Sequence, residues 1–99
     1  MAEFEVTEDH IRRGVKGCDT CPVALSILPR LVGGTHIRVS QSKIDIWNHA
    51  VADDNGAYMC RIYHPDEVRQ FITDFDAGRM VSPFKLQADI PPRFLKDAN

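Results

Sequence analysis

Cys18 and Cys21 are separated by two residues, and Cys60 stands four positions before His64. Three thiolates and an imidazole are a recognised tetrahedral zinc set, and Cys-x-x-Cys has the spacing of half such a site. A metal centre in this chain would use Cys18, Cys21, Cys60 and His64. The second half of the set is the weaker one. Cys60 and His64 share a side only of a strand that stays regular, and there is no second Cys-x-x-Cys. Free cysteine is among the most buried residue types, so packing accounts for all three thiols. The expectation is therefore no cofactor, with zinc as the alternative.

Thiol redox chemistry at Cys21 is a second candidate. Unpaired N–H groups and the dipole at a helix start acidify a thiol there. The redox motif ordinarily follows a strand in a βαβ unit, whereas Gly17 and a helical segment precede this one, and the residues after Cys21 are apolar. Acid–base catalysis has no focus. The carboxylate pairs Glu3/Glu5, Glu8/Asp9, Asp53/Asp54 and Asp66/Glu67 are accounted for by strand exteriors, helix starts and a turn. The histidines are dispersed, with no His-Glu-x-x-His, no Gly-x-Ser-x-Gly and no phosphate loop. The chain reads as a non-enzyme.

The elements that would position these groups follow from periodicity. Glu3 to Val6 alternates as a short strand, and Thr7 offers a helix N-cap ahead of Glu8 and Asp9. Arg12, Arg13 and Lys16 fall near the end of that helix, where the dipole favours cations. Pro22 suits the first turn of a second helix, whose Ala24, Leu25, Ile27, Leu28, Leu31 and Val32 make the longest apolar stretch. Pro29 should kink or restart it, and Gly33-Gly34 should end it. Thr35 to Ser40 and Lys43 to Trp47 alternate as a hairpin. Asn55-Gly56 suggests a type I′ turn leading to a returning strand over Tyr58 to Tyr63, with Tyr58, Cys60 and Ile62 inward. Pro65 opens a third helix with Val68, Phe71, Ile72 and Phe75 on one stripe and Gly78 at its end. Pro83 to Ile90 is a half-buried strand, and Arg93 onward reads as a tail.

This order predicts an α+β fold. It would have a small, mostly antiparallel sheet of about four to five short strands, with three helices packed mainly on one face. A single domain would cover residues 1–92, with 93–99 as tail. The chain has 99 residues, 43% of them hydrophobic and 26% charged, which suits one globular core. The net charge of −2 lacks the basic excess of a dedicated nucleic-acid binder, so nucleic acid is a disfavoured partner. Three cysteines, an odd number, suit a reducing compartment. No stretch approaches the roughly 20 apolar residues of a membrane span. A cytoplasmic location is expected.

Two stretches carry a resemblance. His10-Ile11, Gly14-Val15, Gly17 and Cys21-Pro22-Val23-Ala24-Leu25 resemble the opening of a family of small proteins encoded in bacteriophage and bacterial genomes. Val68, Phe71-Ile72, Phe75-Asp76, Gly78-Arg79, Val81 and Pro83-Phe84 are similar to that family's ending. The resemblance implies an accessory role rather than core metabolism, and it transfers no catalytic residues.

What remains is the outward side of the middle strands. Alternation puts Trp47 opposite Ile44 and Ile46, and Tyr63 opposite Ile62, with Arg61 on the same side. His36, Arg38 and Met59 share that side if the hairpins pair as expected. Trp, Tyr, Met and Arg are enriched where proteins meet. The sequence therefore points to a binding module whose partner is a protein or its own copy, with Trp47, Arg61 and Tyr63 as contact residues. The alternative is a zinc-containing adaptor for nucleic acid or protein.

Overall fold

A computed structural model describes residues 2–96. Its first strand, β1 (Ala2–Val6), buries Phe4 and Val6 and exposes Glu3 and Glu5, as the alternation requires. Thr7 then caps α1 (Glu8–Arg13) with a reciprocal pair of bonds. Its hydroxyl accepts from the His10 backbone N–H, and the His10 ring accepts from the Thr7 N–H. Asp9 pairs with Arg12 and Arg13, so two of the three cations clustered here are matched within their own helix.

The next helix, α2 (Pro22–Ile27), begins with Pro22 in the first turn and buries Pro22, Val23, Ala24, Ser26 and Ile27. Pro29 restarts the chain as a 3₁₀ turn over Leu28–Arg30. The restart swings Leu28 outward to 40% exposure, which corrects its place in the expected apolar stripe. α1 and α2 meet at Gly14. A Cβ there would lie 2.7 Å from the Pro22 Cδ and 2.9 Å from the His10 carbonyl oxygen. Only a residue without a side chain lets the two backbones approach this closely.

Three strands follow: β2 (His36–Val39), β3 (Lys43–Trp47) and β4 (Met59–Tyr63). After them come α3 (Asp66–Asp76) and β5 (Phe84–Ala88). The class is α+β, with three α-helices and five antiparallel strands among the described residues. The strands form two small sheets rather than one, β1–β5 and β2–β3–β4. Pairing the two ends of the chain leaves the central hairpins as a separate sheet. One continuous core joins both, from Phe4, Val6, Leu86 and Ala88 to Ile37, Val39, Ile44 and Ile46, with Val23, Ile27, Val68 and Phe71 from the helices.

Two local expectations are corrected. Asn55-Gly56 does not make a type I′ turn, because only Gly56 has positive φ. The Asp53 carboxylate accepts from the N–H groups of Asn55 and Ala57 and holds Asn55 in an ordinary conformation. Residues 93–96 are not a tail either. Phe94 and Leu95 are buried, Leu31 bridges to Leu95, and Val32 N–H donates to the Phe94 carbonyl at 2.8 Å. Residues 97–99 lie outside those described. A Pro91-Pro92 pair ends a strand, but it cannot say whether the chain beyond returns to the core.

Candidate functional site

The register of the central sheet puts one set of side chains on its outward face. His36 is opposite Trp47 and Arg38 opposite Asp45 across β2–β3. Across β3–β4, Lys43 faces Tyr63, Asp45 faces Arg61, and Trp47 faces Met59. The even-numbered Ile44 and Ile46 turn into the core. Trp47, Arg61 and Tyr63 therefore share a face with His36, Arg38 and Met59. Tyr63 is 70% exposed and Met59 47%, while Trp47 is half-buried.

Trp47 is half-covered because the His36 ring stacks on it, with centroids 5.4 Å apart. Beside it, His49 stacks on Tyr58 at 3.9 Å. Tyr58 was expected inward with Cys60 and Ile62. It is exposed, because β4 starts only at Met59 and the alternation does not extend back to it. The chain has one Trp and two Tyr, and all three sit here. The buried rings of the core are Phe4, Phe71 and Phe94. Rings with a polar edge sit at the open sheet, while phenyl rings fill the interior, with Phe75 and Phe84 half-buried at its margin.

Asp45 is at the centre of the face. Arg61 donates to both its oxygens, Nε to Oδ1 at 2.7 Å and Nη2 to Oδ2 at 3.3 Å. That bond, helped by Arg38 and Lys43, holds the Asp45 carboxyl below the ordinary carboxylate range despite its burial. The same contact, with Tyr63 second, raises Arg61. One carboxylate is thus surrounded by three cations. The face is locally positive within a chain whose net charge is −2. Shallow grooves flank the ion pair, one of about 410 Å³ toward Trp47 and Tyr58 and one of about 310 Å³ toward Ser40 and Lys43.

The thiols are placed differently. Cys18 is exposed, Cys21 is buried and Cys60 is half-buried. Among the described residues no three of His, Cys, Asp and Glu come together in a way that could hold a metal ion. Cys18, Cys21, Cys60 and His64 are not assembled into one site. Cys21 occupies the N-cap of α2, but burial pushes its thiol upward, the opposite of what redox chemistry needs. Burial likewise raises Cys60. His64 donates from Nε2 to the Ser40 carbonyl at 3.1 Å, and its enclosure lowers its pKa. It staples the β2–β3 turn to the end of β4.

The fold class and this face define the chain as a small α+β protein with an aromatic and cationic open sheet. No protein-family model, curated protein or solved structure matches it. Among the described residues, no helix is long and apolar enough to cross a membrane. Trp47, Arg61 and Tyr63 were legible from period-two alternation alone. Asp45 obeys the same alternation, but its pairing with Arg61 depends on the β3–β4 register, which alternation alone does not give. His49 and Tyr58 had no signal, since they meet only through the irregular hairpin connection.

Proposed function

We propose that this chain is a non-enzymatic recognition module that works by protein contact through the outward face of β2–β3–β4. The observation that carries the proposal is the gathering of Trp47 and Tyr63 on the outward face of the sheet with Tyr58 beside them, interleaved with Arg38, Arg61 and Met59. Large amphipathic rings and guanidinium groups dominate the binding energy of protein interfaces, and the rings lose little entropy when fixed. Arg61 is held by Asp45 before any partner arrives, so it loses less freedom on binding. The resemblance to phage- and bacterium-encoded proteins favours an accessory role in the cytoplasm, acting on a host protein or another copy.

The test is capture from native host lysate with the wild-type chain and with Tyr63→Ala and Trp47→Ala. The bound protein should be lost from both variants, while their far-UV spectra stay unchanged. Capture that survives both substitutions would remove this face as the contact surface.

A further inference from the structure

The central sheet has two edges, and they are not alike. In β2–β3, Ser40 N–H donates to the Lys43 carbonyl at 2.9 Å, so the even residues of β2 turn their backbone groups to β3 and Ile37 and Val39 turn theirs to the free edge. That edge is already occupied at Val39, whose N–H donates to the Cys18 carbonyl. In β3–β4, Asn48 N–H donates to the Tyr58 carbonyl and His64 N–H to the Ser42 carbonyl, each at 2.9 Å. The bonded pairs are therefore Ile44 with Ile62 and Ile46 with Cys60. Met59, Arg61 and Tyr63 turn their N–H and C=O groups away from β3. Among the described residues no backbone group meets them.

An open strand edge is a template for another strand, and the side chains beside it decide which strand is accepted. Met59, Arg61 and Tyr63 put their side chains on the recognition face, so a strand added to β4 would lie beside them. Two cations stand beside the position on the recognition face, Arg61 on the edge and Lys43 across from Tyr63, while Arg93 at the start of β4 is offset by Asp53 and by Asp89, which acts with it on Cys60. The Arg93 Nη2 donates to the Ala57 carbonyl at 3.3 Å, while its buried Nε has no acceptor. Among the described residues of the three strands, Asp45 is the one carboxylate on that face, and both its oxygens already accept from Arg61.

We infer that the β4 edge takes up an extended segment of a partner protein by strand addition, with carboxylates of that segment at the alternate positions opposite Met59, Arg61 and Tyr63. This deepens the proposed function and rests on it. Main-chain bonds to the three residues supply affinity that does not depend on sequence. The cations select acidic over basic strands, because opposite charges directly across a pair attract and like charges repel.

The probes are the synthetic hexapeptide acetyl-Val-Glu-Val-Glu-Val-Glu-amide, its Lys-for-Glu counterpart and oligothymidylate. Binding is followed by Trp47 fluorescence and by amide hydrogen exchange. The acidic peptide should bind at least tenfold more tightly than the basic one and weaken with salt. It should slow exchange at Met59, Arg61 and Tyr63 at least tenfold. Lys43, Asp45 and Trp47, whose amides already face β2, should be unchanged. Arg61→Glu should reverse the peptide preference. Binding that leaves the three β4 amides fast would overturn strand addition while the face itself survives as a contact surface. Preferred binding of oligothymidylate, or slowing of the same amides by self-association alone, would replace the acidic strand as occupant. If no probe perturbs Trp47 and capture from lysate survives Tyr63→Ala, the edge and the proposed function fail together.

Discussion

Arg61 and Asp45 face each other across β3–β4, and both carboxylate oxygens are engaged by the one guanidinium. They occupy a pair that exchanges no backbone bonds, where strands approach most closely and side chains meet directly. The contact crosslinks the two strands on the face where Met59 and Tyr63 are exposed. It also fixes the direction in which the guanidinium points.

This pair sets a pH dependence. The folded carboxyl lies below its ordinary value of 3.8, so the stabilisation is complete above that pH and drains away as pH falls through the lowered value. Asp45→Asn should reduce the melting temperature at pH 7. The gap to wild type should close in strong acid. A constant gap down to pH 2 would show that the loss came from packing instead.

His64 gives a second pH window at higher pH. Its folded pKa is below the ordinary 6.5, so the unfolded chain binds the extra proton first. Stability is full above about pH 6.5 and falls as pH drops from there through the folded value, after which it levels off. Thermal melts between pH 7 and 5 should show this loss in wild type and a shallower one in His64→Gln. Parallel curves would remove His64 as the cause.

Core substitutions test where burial departs from the sequence reading, at Phe94 in the expected tail and at Leu28 beside Ile27 in the apolar helix. Phe94→Ala should cost about 3–5 kcal/mol and Ile27→Ala about 2–5 kcal/mol, since both side chains are fully buried. Leu28→Ala should cost about 1 kcal/mol or less, because its side chain is already 40% exposed. Urea unfolding of the three variants decides the ranking. A neutral Phe94→Ala would mean that the chain after Pro92 is dispensable.

Gly14→Ala should destabilise, because its Cβ would press on the buried Pro22 ring and the His10 carbonyl, and neither can yield cheaply. An unchanged melting temperature would mean that α1 is free to move off α2.

Alkylation should rank the thiols. Cys18 should react within the native fold, Cys60 slowly, and Cys21 only on unfolding, as exposure and the raised pKa of the latter two require. Mass spectrometry after timed iodoacetamide treatment reads this order directly. Fast modification of Cys21 would restore a redox role for it.

The sequence by itself determined whatever depends on neighbours along the chain. Thr7, Pro22 and Gly78 mark helix ends through backbone chemistry that needs no distant partner. Period-two alternation in Lys43–Trp47 and Met59–Tyr63 fixed which side chains leave the core, so Trp47, Arg61 and Tyr63 could be placed on one face. Tertiary structure decided what long-range pairing controls. It joined β1 to β5 and so split the strands into two sheets, and it returned Phe94 and Leu95 to the core. It also kept Cys18, Cys21, Cys60 and His64 from assembling among the described residues. Net charge, a sum over the chain, could not show that Arg38, Lys43 and Arg61 gather around Asp45, because only the register of β2, β3 and β4 brings residues so far apart in sequence onto one surface.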